Sequence, residues 1–168
     1  MLYLQFPQWI TPEVFGIPFL RWYGLMYLLA FGITYWLFLV QVRQKQLSVD
    51  PDEVTNLFFW GIVGLLVGAR LFATLLFDES GIYWRQPWLI FWPFRDGQFV
   101  GLQGMNFYGG LVGGAIAGVW YMKKRQLDML RWADMLFAGI PAAYTFGRLG
   151  NFINAELYGR VTQAPWGV

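Results

Sequence analysis

Four stretches of the chain are apolar enough to predict helices that cross a bilayer. Residues 22–42, WYGLMYLLAFGITYWLFLVQV, carry no charge and match the ~20 residues that an α-helix needs to traverse about 30 Å of hydrocarbon. In residues 54–77 only Arg70 interrupts the apolar run, and Asp50, Pro51, Asp52 and Glu53 supply an acidic, helix-starting flank. Residues 106–122 predict a third span, in which Gly110, Gly114 and Gly118 recur every fourth position and predict a bare face for close packing. A fourth, from about 132 to 151, is less purely apolar and contains Pro141. Between the second and third spans, YWRQPWLIFWPFRD at residues 83–96 is too short to cross. Its Trp, Phe and Arg content predicts a segment lying flat at the headgroup boundary. The expected class is all-α: a polytopic integral membrane protein with about four transmembrane helices and an interfacial outer segment, in a single membrane domain over residues 1–168.

Composition supports a bilayer rather than water as the solvent. With 57% hydrophobic and only 13% charged residues, polar surface is too scarce to cover a soluble globule of 168 residues. The net charge of +2 comes without a lysine-rich tract or an aromatic-interleaved basic patch, so no nucleic-acid partner is expected. The absence of cysteine and histidine removes disulfides, zinc sites, thiol nucleophiles and imidazole bases, leaving acid–base work to Glu, Asp, Tyr or Lys. No metal or cofactor is expected. The first 20 residues lack a basic region and are broken by Pro7, Pro12, Glu13 and Pro18, which argues against a secretory signal peptide. Arg43 and Lys45 follow the first span, and Lys123, Lys124, Arg125 and Arg131 follow the third. Those loops are therefore expected in the cytoplasm, with the amino terminus, the loop of residues 78–105 and the tail after residue 151 facing outward. The stop at APWGV, soon after the most polar segment, predicts a truncated carboxyl end.

Candidate chemistry concentrates in YTFGRLGNFINAELYGR, residues 144–160, where Arg148, Asn151, Asn154, Glu156 and Arg160 close an apolar span. An arginine at bilayer depth costs roughly 2.5 to 3.5 kcal/mol on insertion scales, so its retention there predicts an anionic partner. Gly147 and Gly150 remove bulk beside Arg148 and let a lipid phosphate or a helix approach closely, and its planar guanidinium offers phosphate two parallel donors. The plainer alternative is an arginine that snorkels to the interface or pairs with Glu156. Arg70, in LLVGARLF, is expected at similar depth, and two converging guanidiniums would imply a bound phosphate; separate snorkelling is the alternative. Tyr23 and Tyr27 stand four apart near the outer surface, where tyrosine is most often an aromatic-belt anchor. Tyr108, in NFYGGL, is either an orienting hydroxyl or a packing residue.

These motifs together resemble the bacterial prolipoprotein diacylglyceryl transferases. RWYGLMY at residues 21–27 is similar to that family's amino-terminal motif and LLVGARL at 65–71 to its second-helix arginine motif. NFYGGLVGG at 106–114 is similar to its HGGL-type motif, and GRLGNFINAELYGR at 147–160 closely resembles its signature. The resemblance implies an inner-membrane enzyme that moves the diacylglyceryl group of phosphatidylglycerol onto the lipobox cysteine of a preprolipoprotein signal peptide, releasing glycerol phosphate. It further implies that Arg148 holds the lipid phosphate and that Asn151 and Glu156 shape the same site, to which Asn154 adds an amide donor on the reading of the residues alone. Tyr23 and Arg70 would complete its outer wall, with Gly159 giving backbone clearance. Two departures stand out: Tyr108 occupies the place where the family commonly has histidine, and the family's outer head region and later helices have no counterpart here. Two other readings of the same residues are a membrane anion or lipid transport protein and a non-catalytic portion of the transferase.

Overall fold

The computed structural model describes residues 11, 13–14, 21–47, 49–95, 97–99, 101 and 104–154. The described residues fall into two compact units, one running up to Leu47 and resuming at Ala133, the other covering Val49 to Trp132.

The second unit is a helical hairpin capped by a loop. Helix α2, Pro51–Leu75, starts as its flank predicts: Asp50 Oδ1 accepts the Asp52 N–H at 3.0 Å, Pro51 sits in the first turn, and Asp52 and Glu53 complement the positive helix end. After the one-turn helix α3, Ile82–Arg85, come a 3₁₀ turn, Pro87–Ile90, and a minimal antiparallel ladder. The ladder joins β1, Phe94–Arg95, to β2, Gln98–Phe99, and is too small to alter the all-α class. Helix α4, Phe107–Lys124, then begins on Asn106, whose Oδ1 accepts the Gly109 N–H at 3.0 Å. A Cβ built on Gly68 would fall 2.8 Å from the Gly113 Cα, and Gly64 and Gly113 are equally intimate, so α2 and α4 touch backbone to backbone. The spacing of Gly110, Gly114 and Gly118 predicts a different row. Gly110 and Gly114 meet Leu65 only at ordinary contact distance and Gly118 faces open space, because Gly64 and Gly68 on α2 select the neighbouring Gly109 and Gly113 row.

At the opposite end of the hairpin, the Tyr121 hydroxyl donates to Glu53 Oε2 at 2.6 Å while Arg125 Nε donates to Glu53 Oε1 at 2.7 Å. The same carboxylate pairs with Arg125 Nη2 and raises the guanidinium pKa above its ordinary value. Helix α4 ends with Leu127 N–H bonded to Met122 O at 2.9 Å and Gln126 N–H to Lys123 O at 3.2 Å, which forces Gln126 to a φ of 55°. Helix α1 ends in the same way, on Gln46 at φ 48°. Both reversals satisfy carbonyls that a helix terminus otherwise orphans.

In the first unit α1, Trp22–Gln44, lies along α6, Ile140–Ile153. Met26, Ala30 and Phe38 form its buried stripe, while Leu28, Leu29 and Trp36 are exposed on a helix apolar all round. Large apolar side chains each gain about 1.5–3 kcal/mol on leaving water, so this outer surface suits a lipid environment. The Gln41 side-chain amide donates to Met135 O at 2.9 Å, tying α1 to α5, Met129–Phe137.

Among the described residues, length and apolarity qualify two helices to cross a membrane, α1 and α2, at about 34 and 38 Å. The third expected span is an 18-residue helix ending in Lys123 and Lys124. The fourth is not one helix: it breaks at Ala138 and Gly139 into α5 and α6. Pro141 in the first turn of α6 has no N–H to continue a helix from α5. Gly139, moreover, sits so close to α1 that a Cβ would lie 2.7 Å from Thr34 Cγ2.

Candidate functional site

Helix α6 carries the described part of the residue 144–160 cluster. One turn apart on its exposed face, Tyr144 and Arg148 interact: Arg148 Nε donates to the Tyr144 hydroxyl at 2.7 Å, and the guanidinium carbon lies 5.0 Å from the tyrosine ring centre. A phenol and a ring face orient the cation without neutralising it. Among the described residues no carboxylate pairs with Arg148. Asn151 is half-buried on the same helix, and Asn154 closes it as the C-terminal cap residue, its N–H bonded to Gly150 O at 3.0 Å.

Tyr23 on α1 is brought against this helix at Gly150. A Cβ there would fall 3.0 Å from Tyr23 Cδ2 and 3.5 Å from the Met26 side chain, so only glycine admits the ring without displacement. Of the two approaches expected at Gly150, by a lipid phosphate or by a helix, the structure shows the helix, α1. Two positions along a helix turn about 200°, which points Gly150 at α1 and away from the guanidinium. Gly147 does face open space. The Tyr23 and Tyr27 hydroxyls lie 3.1 Å apart, their rings edge to face at 4.9 Å, which couples the two tyrosines as one polar pair. Sequence reasoning missed Tyr144 and the seat at Gly150. The spacing of four between Tyr144 and Arg148 was available as a signal; the contact of Gly150 with Tyr23 was not.

Two further expected site residues belong to the other unit. Tyr108 is 67% exposed in the first turn of α4, its ring 5.7 Å from that of Phe107. Arg70, expected among the phosphate ligands, is 3% exposed, and its guanidinium is directed to the protein's own backbone. Nε donates to Ile90 O, Nη1 to Gly104 O at 3.2 Å and Nη2 to Leu89 O at 3.4 Å. Glu156, Gly159 and Arg160 lie outside the described residues. Among the described residues, no cluster of three His, Cys, Asp or Glu side chains is placed to hold a metal.

Comparison with known proteins extends the picture along the chain. A family profile described as prolipoprotein diacylglyceryl transferase matches residues 12–168. The phosphatidylglycerol–prolipoprotein diacylglyceryl transferase of Treponema denticola is 47% identical over 182 aligned positions, covering 100% of this chain and 54% of the relative. That of Treponema pallidum is 45% identical with the same coverage, and that of Campylobacter jejuni is 38% identical over 95% of this chain and 59% of the relative. The chain spans about half the length of the curated relatives it matches. The match runs through the arginine-bearing helix α2, the glycine-paired start of α4 and the whole Tyr144 to Arg160 cluster, and on it the chain belongs to the prolipoprotein diacylglyceryl transferase family of bacterial membrane proteins.

Proposed function

We propose that the protein to which this chain belongs transfers the diacylglyceryl group of phosphatidylglycerol to the lipobox cysteine of a preprolipoprotein, the first step of lipoprotein maturation. The observation that carries this reading is the Arg148 guanidinium, exposed on α6, oriented by Tyr144 and unpaired with any carboxylate among the described residues. Such a cation is competent to grip a phosphodiester. Asn151 and Asn154 add amide donors on the same helix, and the Tyr23–Tyr27 pair supplies hydroxyls from α1. Glu156 and Gly159, next along the signature, are assigned to the same site by resemblance.

In the reaction the cysteine sulfur forms a bond to the terminal glyceryl carbon as the bond from that carbon to the phosphate oxygen breaks, and the electron pair leaves with glycerol phosphate. The thiol proton passes to a carboxylate such as Glu156, or to water. Thiolate is the reactive form, and a free cysteine has a pKa of about 8.5, so a cationic site both lowers that pKa and stabilises charge growing on the leaving phosphate. Tyr108 stands where the family commonly has histidine. A phenol suits an orienting hydroxyl better than a base. The positive loops after α1 and α4 support a cytoplasmic-membrane location with the amino terminus outward.

The test is transfer of labelled lipid from phosphatidylglycerol vesicles to a lipobox peptide by the protein at the full length of its relatives. Arg148→Ala is expected to lower the rate about 10²-fold or more with membrane insertion intact. Undiminished transfer by that variant rejects the assignment.

A further inference from the structure

We propose that Arg70 is a positioning residue: its guanidinium fastens both arms of the outer loop, residues 78–105, over the shoulder of α2 and thereby presents an aromatic plate to the lipid headgroup region. The proposal is independent of the transfer chemistry. Three edges of one planar group hold three carbonyls, those of Leu89 and Ile90 from the arm before the β1–β2 turn and that of Gly104 from the arm after it. The Tyr83 ring lies 5.4 Å from the guanidinium carbon, adding a fourth contact from the first arm. Next to Arg70, Ala69 O accepts the Asn106 N–H at 3.0 Å, which fixes the return of the loop into α4. The Leu89 and Ile90 carbonyls end a 3₁₀ turn and have no continuing helix to accept from, so the arginine satisfies groups that burial would otherwise orphan. Lysine, with one nitrogen, cannot span the same three acceptors.

What the clasp presents is Trp84, Trp88, Phe91 and Trp92, all at least half exposed. Their surroundings follow from connectivity. The loop leaves α2, a helix long and apolar enough to cross the membrane, through the exposed Leu76 and Phe77, and re-enters α4 at Phe107. A segment that leaves a helix able to cross the membrane, and that the clasp holds down against the end of that helix, is kept near the bilayer boundary, where tryptophan is most favourably placed. The occupant of this face is therefore the glycerophospholipid headgroup layer.

The cysteine-free chain allows a direct test. Trp88→Cys, and Gln126→Cys as an exposed reference, are labelled with a polarity-sensitive fluorophore in nanodiscs of phosphatidylglycerol and phosphatidylethanolamine. They are then quenched either by aqueous iodide or by a lipid carrying a spin label at its headgroup. Position 88 is expected to be quenched by the lipid probe and several-fold less than position 126 by iodide. Arg70→Gln raises iodide quenching at 88 to the level of 126, and Arg70→Lys restores only part of the protection. Should Arg70→Gln fail to insert, Gly104→Ala disturbs the clasp with the arginine intact, because that backbone sits at φ 82°, and the same rise is expected. Equal iodide quenching at 88 and 126 in the parent chain overturns the lipid-facing plate. Unchanged protection in both Arg70→Gln and Gly104→Ala overturns the clasp.

Discussion

The contact between α2 and α4 is the most exacting feature of the second unit, and Gly68→Ala addresses it directly. The added methyl would meet the Gly109 carbonyl oxygen, the Gly113 Cα at 2.8 Å and the Gly113 N at 3.1 Å. All three are backbone, so nothing can rotate aside and the helices must part. Overpacking of this kind costs about 1–3 kcal/mol, while replacing glycine by alanine in a helix recovers about 1 kcal/mol of propensity. Gly118→Ala receives the same propensity gain but meets nothing within 4 Å. The difference between the two variants therefore isolates the overpacking, about 1–3 kcal/mol. Unfolding in mixed micelles with increasing dodecyl sulfate, followed by the near-ultraviolet signal of the Trp60–Trp120 pair, whose rings lie 5.3 Å apart across α2 and α4, measures it. Equal stability of the two variants within about 0.5 kcal/mol would refute a backbone-to-backbone crossing at Gly68.

Two further predictions concern the ends of helices. Gln126→Gly relieves an L-residue held at φ 55° while keeping the bonds that close α4, and is expected to stabilise the hairpin by about 1 kcal/mol in the same titration; no gain would mean that Gln126 compensates for its backbone through its side chain. Gly150→Ala adds a methyl 3.0 Å from Tyr23 Cδ2, pushes against that ring, and is expected to lower transfer by the full-length protein about tenfold while sparing stability. Unaltered kinetics would show that the Tyr23 position is immaterial.

Local chemistry was legible in the sequence wherever one helix contained all its participants. The start of α2 follows from Asp50 and Pro51, and the exposed apolar surface of α1 from an uncharged run. Contacts between distant residues were not legible in this way. Glycine spacing offered two rows on α4, and only the positions of Gly64 and Gly68 on another helix decide between them. The break before α6 combines a visible cause, Pro141, with an invisible one, the approach of Gly139 to Thr34. The acceptors of Arg70, 20 and 34 residues farther along, are backbone carbonyls, which every residue has and no motif announces.

The two arginines expected to share a ligand thus differ in what each can offer one. A phosphate approaching Arg70 would have to displace carbonyls in a nearly water-free setting, and each buried acceptor left unsatisfied costs about 1–3 kcal/mol. Arg148 presents the opposite balance. Its described partner is the neutral Tyr144, one hydrogen bond and one ring face, and its remaining donors are exposed on α6. An anion arriving there gains charge-assisted hydrogen bonds without stripping a buried network. Residue type and an apolar setting alone made both arginines candidate ligands; on the reading proposed above, the acceptors around each favour Arg70 as the residue that holds the loop and Arg148 as the one that meets the lipid phosphate.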